Sequence, residues 1–302
     1  MQHLQLATNW LLHRRNGAWV DPVAAVLLPL AHQLFVPAMK AHDLMRAVVG
    51  LLHAASLHDA SCALLTRTCA MPGVGLSSSR SSRPLLAALT ATAAQQLGRW
   101  ASCPRTDPLM REEPLQLLVE SLTVLQNCAR QHECFLVMMK CDLVKTLMGC
   151  LATKKAIAED ASAVVPAVLR LVFMLSHQPE AQTAVCKAAA WSSTLLAHLT
   201  HPRNHIFALL LASNLARNHH AAQGLLASEP FVRLLLAKLN DDPHEPQEVS
   251  LVLSILWGLL ANNKRSQALL KRYPVAPLVH HVKDALPSLA ELCSIITQIL
   301  GA

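Results

Sequence analysis

Glycine is scarce in this chain of 302 residues, at 9, and aromatic side chains make up only 4% of it. Runs of β-branched residues are nearly absent while Leu and Ala dominate, a balance that disfavours strands and favours helices. Charged residues are also few, at 15%, against 53% apolar, which is ample for a continuous core. Mean hydropathy is positive, yet no uninterrupted apolar run reaches the roughly 18 to 20 residues that a bilayer demands. The best candidate, VAAVLLPLAHQLFV at 23–36, is interrupted by Pro29, His32 and Gln33 and reads as a buried core helix. The opening MQHLQLATNW has no charged segment leading into an apolar stretch and a small-residue cleavage site, so no secretory route is expected.

The chemistry-bearing patterns are missing too. Nine cysteines fall at 62, 69, 103, 128, 134, 141, 150, 186 and 293 without one CxxC pair. Zinc sites and disulfide scaffolds need tighter groupings, so these read as reduced core thiols of a cytosolic protein, the densest set being Cys128, Cys134, Cys141 and Cys150. Among 16 histidines, His201 and His205 in HPRNH, with His198 nearby, have helical spacing broken by Pro202, and no HExxH is present. The pairs His219/His220 and His280/His281 fall near expected helix ends. No GxSxG occurs, and GVGLSSS at 73–79 lacks the lysine of a phosphate-binding loop. Glu112/Glu113 and Asp241/Asp242 suit helix N-termini better than acid/base work. No catalytic residue, metal or cofactor is therefore expected. The net charge of +7 is spread along the chain, without the clustered Lys and Arg of a nucleic-acid binder.

What is present is an internal repeat. LTVLQNCARQHECFLVMMKCDLVKTLMGCL (122–151), LRLVFMLSHQPEAQTAVCKAAAWSSTLLAHL (169–199), LLLASNLARNHHAAQGLLASEPFVRLLLAKL (209–239) and LSILWGLLANNKRSQALLKRYPVAPLVHHV (253–282) share one layout. A long apolar helix breaks at a small polar cluster, a short helix follows, and an amphipathic helix closes the unit. Anchored on Cys128, Leu175, Leu215 and Leu260, the spacings are 47, 40 and 45. A period in the forties with two or three helices per unit predicts an all-α fold, a right-handed α-solenoid of armadillo or HEAT type. No such unit buries its own apolar face, so neighbours must stack. In the third unit Ile206, Leu209, Leu210 and Ser213 lie on one face of the long helix and Phe207, Leu210, Leu211 and Asn214 on the next, a stripe broad enough for a helix between neighbours.

The breaks carry turn chemistry. Ser228 before Pro230 is an expected N-cap, and DDP at 241–243 repeats the device. Residues 287–300, starting at Pro287, suit a C-terminal capping helix. Towards the N-terminus, helical patterns run at 3–15, 22–36, 38–55 and 57–70, read as degenerate repeats over 1–70. Residues 71–84, MPGVGLSSSRSSRP, form a flexible linker, and 85–302 hold the armadillo-like repeats. Within the linker, Ser81 and Ser82 lie between Arg80 and Arg83; the stretch reads first as a disordered loop and, as the alternative, as a phosphorylation switch where phosphate would invert the local charge.

At LLLASNLARN the chain resembles the armadillo family, whose third helix carries an Asn near its end. In peptide-binding members that Asn holds the ligand backbone and a Trp one turn earlier packs on ligand side chains. The resemblance thus implies partner-binding roles for Asn127 and Asn214, although Thr123 and Leu210 stand at the Trp position, and Met174 and Leu259 replace the Asn elsewhere. Within this superfamily ILWGLLANNKRSQALLK (255–271), with the preceding repeats, resembles the C-terminal region of the rotatin family of long centriolar and basal-body proteins. That resemblance covers about residues 110–302. It implies a non-enzymatic protein-protein interaction scaffold in centriole assembly and ciliogenesis, with centrosomal or ciliary protein partners. It further implies a cytoplasmic location at the centrosome and ciliary basal body, and that this chain is a fragment or short form of a longer protein. The alternative is an import-receptor-like adaptor for basic peptides, which would need carboxylates along its groove; the long helices offer Glu120 and little else. The basic quartet Lys264, Arg265, Lys271 and Arg272, with Lys264, Lys271 and Arg272 sharing a face, reads first as a solvated face and, as the alternative, as a contact for an acidic partner.

Overall fold

The computed structural model describes residues 27–28, 31, 42–66, 84–103, 112–158, 163–240, 245–261 and 263–301. No strand occurs among them. The chain divides into two compact units, one of residues 1–156 with 161–175, the other of 157–160 with 176–302.

In the first unit three helices, α1 (His42–Ser56), α2 (Asp59–Leu65) and α3 (Leu85–Ser102), are followed by α4 (Glu112–Cys128), α5 (His132–Lys140) and α6 (Leu143–Leu151), then by the short α7 (Lys154–Ala158) and by α8 (Val164–Leu175). The long helices form a ladder, α1 against α4 and α4 against α8, while α2 meets α5 and α3 packs on α4, α5 and α6. A helix in the middle of such a ladder needs apolar residues on two sides. In α4 these are Leu117, Leu118, Leu122, Val124, Leu125 and Cys128, all buried. The thiols of Cys62, Cys128 and Cys134 converge in this core. Hydrogen bonding with Cys134 and Cys62, reinforced by burial, holds Cys128 well above its ordinary range, which keeps it a thiol.

Helix α7 interrupts the repeat and accounts for its longest spacing, 47 residues. Its Lys155 Nζ donates to the carbonyls of Trp100 at 2.8 Å and Cys103 at 3.1 Å, and sits 4.9 Å from the centre of the Trp100 ring. It thereby satisfies carbonyls at the C-terminal end of α3, where a cation is favoured.

The second unit continues with α9 (Pro179–Lys187) and α10 (Trp191–Leu199). Then come α11 (His205–Asn218), α12 (His220–Leu226), α13 (Glu229–Asn240), α14 (Pro246–Leu260), α15 (Lys264–Leu270) and α16 (Val275–Ala285). A 3₁₀ turn (Pro287–Leu289) and α17 (Ala290–Gly301) follow. The ladder here runs α11, α14, α17, with α12 against α15 and α13 against α16. Helices α11 and α14 approach very closely, because Gly258 lies against the backbone of Ala216 and Arg217. A side-chain device recurs at each ladder end. Gln182 Nε2 donates to the Ser176 carbonyl (2.7 Å), Gln223 Nε2 to those of Ala216 (2.8 Å) and Gly258 (3.1 Å), and Gln267 Nε2 to that of Leu260 (2.8 Å). Each glutamine lies four residues after the N-cap of its short helix, Gln178, His219 or Asn263. It supplies the carbonyls that the ending long helix leaves over.

The 287–300 segment forms the 3₁₀ turn and α17, which packs on α14 and α16 and buries Cys293 and Ile296. Segments 3–15 and 71–83, with Ser81 and Ser82, lie outside the described residues, as do Asp241 and Asp242; of 22–36 only 27, 28 and 31 are described. Helix α14 starts at Pro246, after Glu245 as N-cap. Residue 84, expected to end the linker, is the N-cap of α3.

Candidate functional site

The surface left over by the ladder is a stripe on each long helix. In α11 it comprises the half-buried Phe207, Leu210 and Asn214 and the exposed Arg217, spaced three and four apart; in α14 it comprises the half-buried Leu251, Ser254 and Trp257. The two stripes are joined by the Ser213 hydroxyl donating to Ser254 Oγ at 3.0 Å and by the Arg217 guanidinium, 5.5 Å from the centre of the Trp257 ring. This last contact sets a half-buried indole against a cation. Arg217 and Trp257 have no expected site role in the sequence. The available signal was one of five tryptophans in an aromatic-poor chain standing two residues before Leu259, rather than one turn before an Asn.

Both expected asparagines lie on long helices, and the side chain of each reaches a serine earlier in its own unit. Asn127 Nδ2 donates to Ser56 Oγ at 3.1 Å. Asn214 Nδ2 donates to both the carbonyl and the hydroxyl of Ser176 at 2.8 Å, and its Oδ1 accepts from Asn218 Nδ2 at 2.7 Å. The partners follow the repeat. After the anchor Leu175 stands Ser176 and the next ladder position is Asn214, whereas after Cys128 and Leu215 stand Ala129 and Ala216 and the next positions are Met174 and Leu259; Ser56, the partner of Asn127, ends α1.

Lys264, Arg265, Lys271 and Arg272 are all exposed on and just after α15. A cleft of about 320 Å³ there is lined by Ala227, Arg265, Ala268, Leu269 and Arg272. Arg265 on α15 and Arg272 in the turn just after it therefore share its wall, and Lys264 and Lys271 do not line it. Lys271 caps α15 and the chain turns there, with Arg272 N bonded to the Leu269 carbonyl at 3.0 Å.

The histidines take structural positions. His198 is buried with its Nδ1 3.3 Å from Asn204 Nδ2, His219 Nδ1 accepts the Ala222 N–H at 3.2 Å as N-cap of α12, and His205 Nε2 lies 3.6 Å from Glu248, which also pairs with Lys238. Among the described residues no group of three His, Cys, Asp or Glu is placed to hold a metal ion, and no helix is long and apolar enough to cross a membrane. Burial pushes the Cys150 thiol up to about 12 and that of Cys186 to about 11, so neither is an activated nucleophile.

No family model matches the sequence, and no curated protein matches it. Solved structures do. A designed armadillo repeat protein in complex with the peptide (KR)4 superposes with a TM-score of 0.67 at 13% identity, over 90% of this chain and 99% of its own. Computationally designed armadillo repeat proteins for modular peptide recognition give 0.65 at 14% identity over the same shares, and an engineered protein gives 0.61 at 13% identity over 93% of this chain and 71% of its own. With three-helix repeats and a ladder of long helices within each unit, this chain has the all-α helical-repeat fold of armadillo proteins.

Proposed function

We propose that this chain is a non-enzymatic protein-protein interaction scaffold that holds segments of partner proteins along the long-helix stripes of α11 and α14. The observation that carries this reading is the half-open Trp257 ring braced by Arg217, on stripes that also carry the half-buried Phe207, Leu210 and Leu251, an apolar surface of the kind partners anchor on. The fold shared with designed proteins made for peptide recognition supports it. Charge argues against an import-receptor-like taste for basic segments such as the (KR)4 bound by one of those proteins: α11 contains no carboxylate, and Arg217 stands in its stripe. The resemblance of residues 255–271 to the rotatin family supports a narrower role in centriole and basal-body assembly, with centrosomal or ciliary proteins as partners.

The test is proximity labelling of the tagged chain in ciliated cells, wild type against R217A/W257A. Spots at the ciliary base, and a set of labelled centrosomal proteins that the double variant loses, are expected. A labelled set unchanged in the variant overturns the stripe as the binding surface, and a diffuse signal overturns the centriolar role.

A further inference from the structure

We infer that the cleft between the α12–α13 turn and α15 binds an acidic segment of a protein partner, at a surface separate from the ladder stripe. The cleft has an apolar floor of Ala227, Ala268 and Leu269 and two guanidinium groups on one wall, Arg265 and Arg272. Neither arginine has an ion-pair partner among the described residues, whereas the nearby Arg233 is held by Glu229, at 2.6 Å. Apart from Glu229, the sequence supplies few anions to this neighbourhood. No Asp or Glu occurs between Glu180 and Glu229, the stretch that supplies α12 and Ala227, or between Glu248 and Asp284, the stretch that supplies α15. Lys264 and Lys271 add two exposed cations beside the cleft.

Arg265 lies on α15 and Arg272 in the turn just after it, so the two guanidinium groups reach the cleft from separate backbone positions. The cleft therefore suits carboxylates of one segment, each taken by a guanidinium fork, with small or apolar side chains of the same segment on the Ala268–Leu269 floor. Nucleic acid fits less well: the lining contains no aromatic ring for a base to stack on, and the volume is that of a few side chains.

The probe is a fluorescein-labelled peptide with the core Glu-Ala-Leu-Glu, titrated with the full chain by fluorescence anisotropy, beside Lys-Ala-Leu-Lys and a labelled single-stranded oligonucleotide. Binding of the Glu peptide alone is expected, weakened at least about tenfold in R265E/R272E and much less in K264E/K271E. All four side chains are exposed, and unchanged circular dichroism would show that the variants fold. Failure of the Glu peptide to bind overturns the inference, as does binding that survives R265E/R272E or falls equally in K264E/K271E. Oligonucleotide binding lost in R265E/R272E, with the Glu peptide inert, overturns it in favour of a nucleic-acid site. None of these outcomes depends on Arg217 or Trp257, so the ladder-stripe reading stands or falls separately.

Discussion

Alanine in place of glycine inside a helix ordinarily stabilises, by about 1 kcal/mol; at Gly258 the sign should reverse. A Cβ there would stand 2.9 Å from both the carbonyl carbon and oxygen of Ala216 and 3.1 Å from the Arg217 nitrogen. All three are backbone atoms of α11, so no side chain can swing aside, and α11 and α14 must separate. Forcing a methyl group into a packed contact costs about 1 to 3 kcal/mol. The same displacement stretches the 3.1 Å bond from Gln223 to the Gly258 carbonyl, a further loss of about 1 kcal/mol. Against the helix-propensity gain, Gly258→Ala should be net destabilising by about 1 to 3 kcal/mol. Gly98, Gly149 and Gly224 are exposed helical glycines with nothing within 4 Å of an added Cβ, and Ala at each should stabilise by about 0.5 to 1 kcal/mol. Urea midpoints followed by far-UV circular dichroism give the comparison. A midpoint for Gly258→Ala that rises as it does for Gly149→Ala would refute the close approach of the two helices.

The Ser176/Asn214 pair should be exchangeable for the Ala/Leu pair that the chain uses at 216/259. Asn214→Leu alone should cost about 1 to 3 kcal/mol through two lost hydrogen bonds, and a double-mutant cycle with Ser176→Ala should return about 0.5 to 1.5 kcal/mol as coupling; additive losses would contradict a direct lock. Burial raises the folded-state pKa of Cys150 from 9.0 to about 12, so above pH 9 the unfolded chain gives up a proton that the native state keeps. Stability must then fall as pH rises through that window, by about 1.4 kcal/mol per pH unit from this thiol. The urea midpoint of Cys150→Ala should decline less steeply than wild type between about pH 8 and pH 10, and parallel declines would show the thiol to be solvated.

The repeat was legible in the sequence because its cause is periodic. A helix packed on two neighbours needs apolar residues on two sides, and the stretches beginning at 122, 169, 209 and 253 carry that requirement at a near-constant spacing. Sites formed between helices were less legible. That Arg265 rather than Lys264 joins Arg272 depends on how the chain turns after Leu270, and the Arg217–Trp257 contact pairs residues of two helices whose separation is set by a glycine on one of them. Helix α7 escaped notice because five residues carry too little periodicity to register, although Lys155 at the end of α3 gives it a purpose.

The asparagines show how a family resemblance and a physical reading can diverge over one residue. By resemblance, Asn127 and Asn214 face a partner's backbone. By geometry, Asn127 donates to Ser56 at the end of α1 and Asn214 to Ser176, and the occurrence of Ser with Asn in some repeats and of Ala with Met or Leu in others is what a part-buried hydrogen bond favours, since either partner alone would leave the other unsatisfied. The glutamines at 182, 223 and 267 obey the same logic at the ladder's ends. In this chain these polar residues bond within each unit, and the partner surfaces proposed above are built instead on Arg217, Trp257, Arg265 and Arg272.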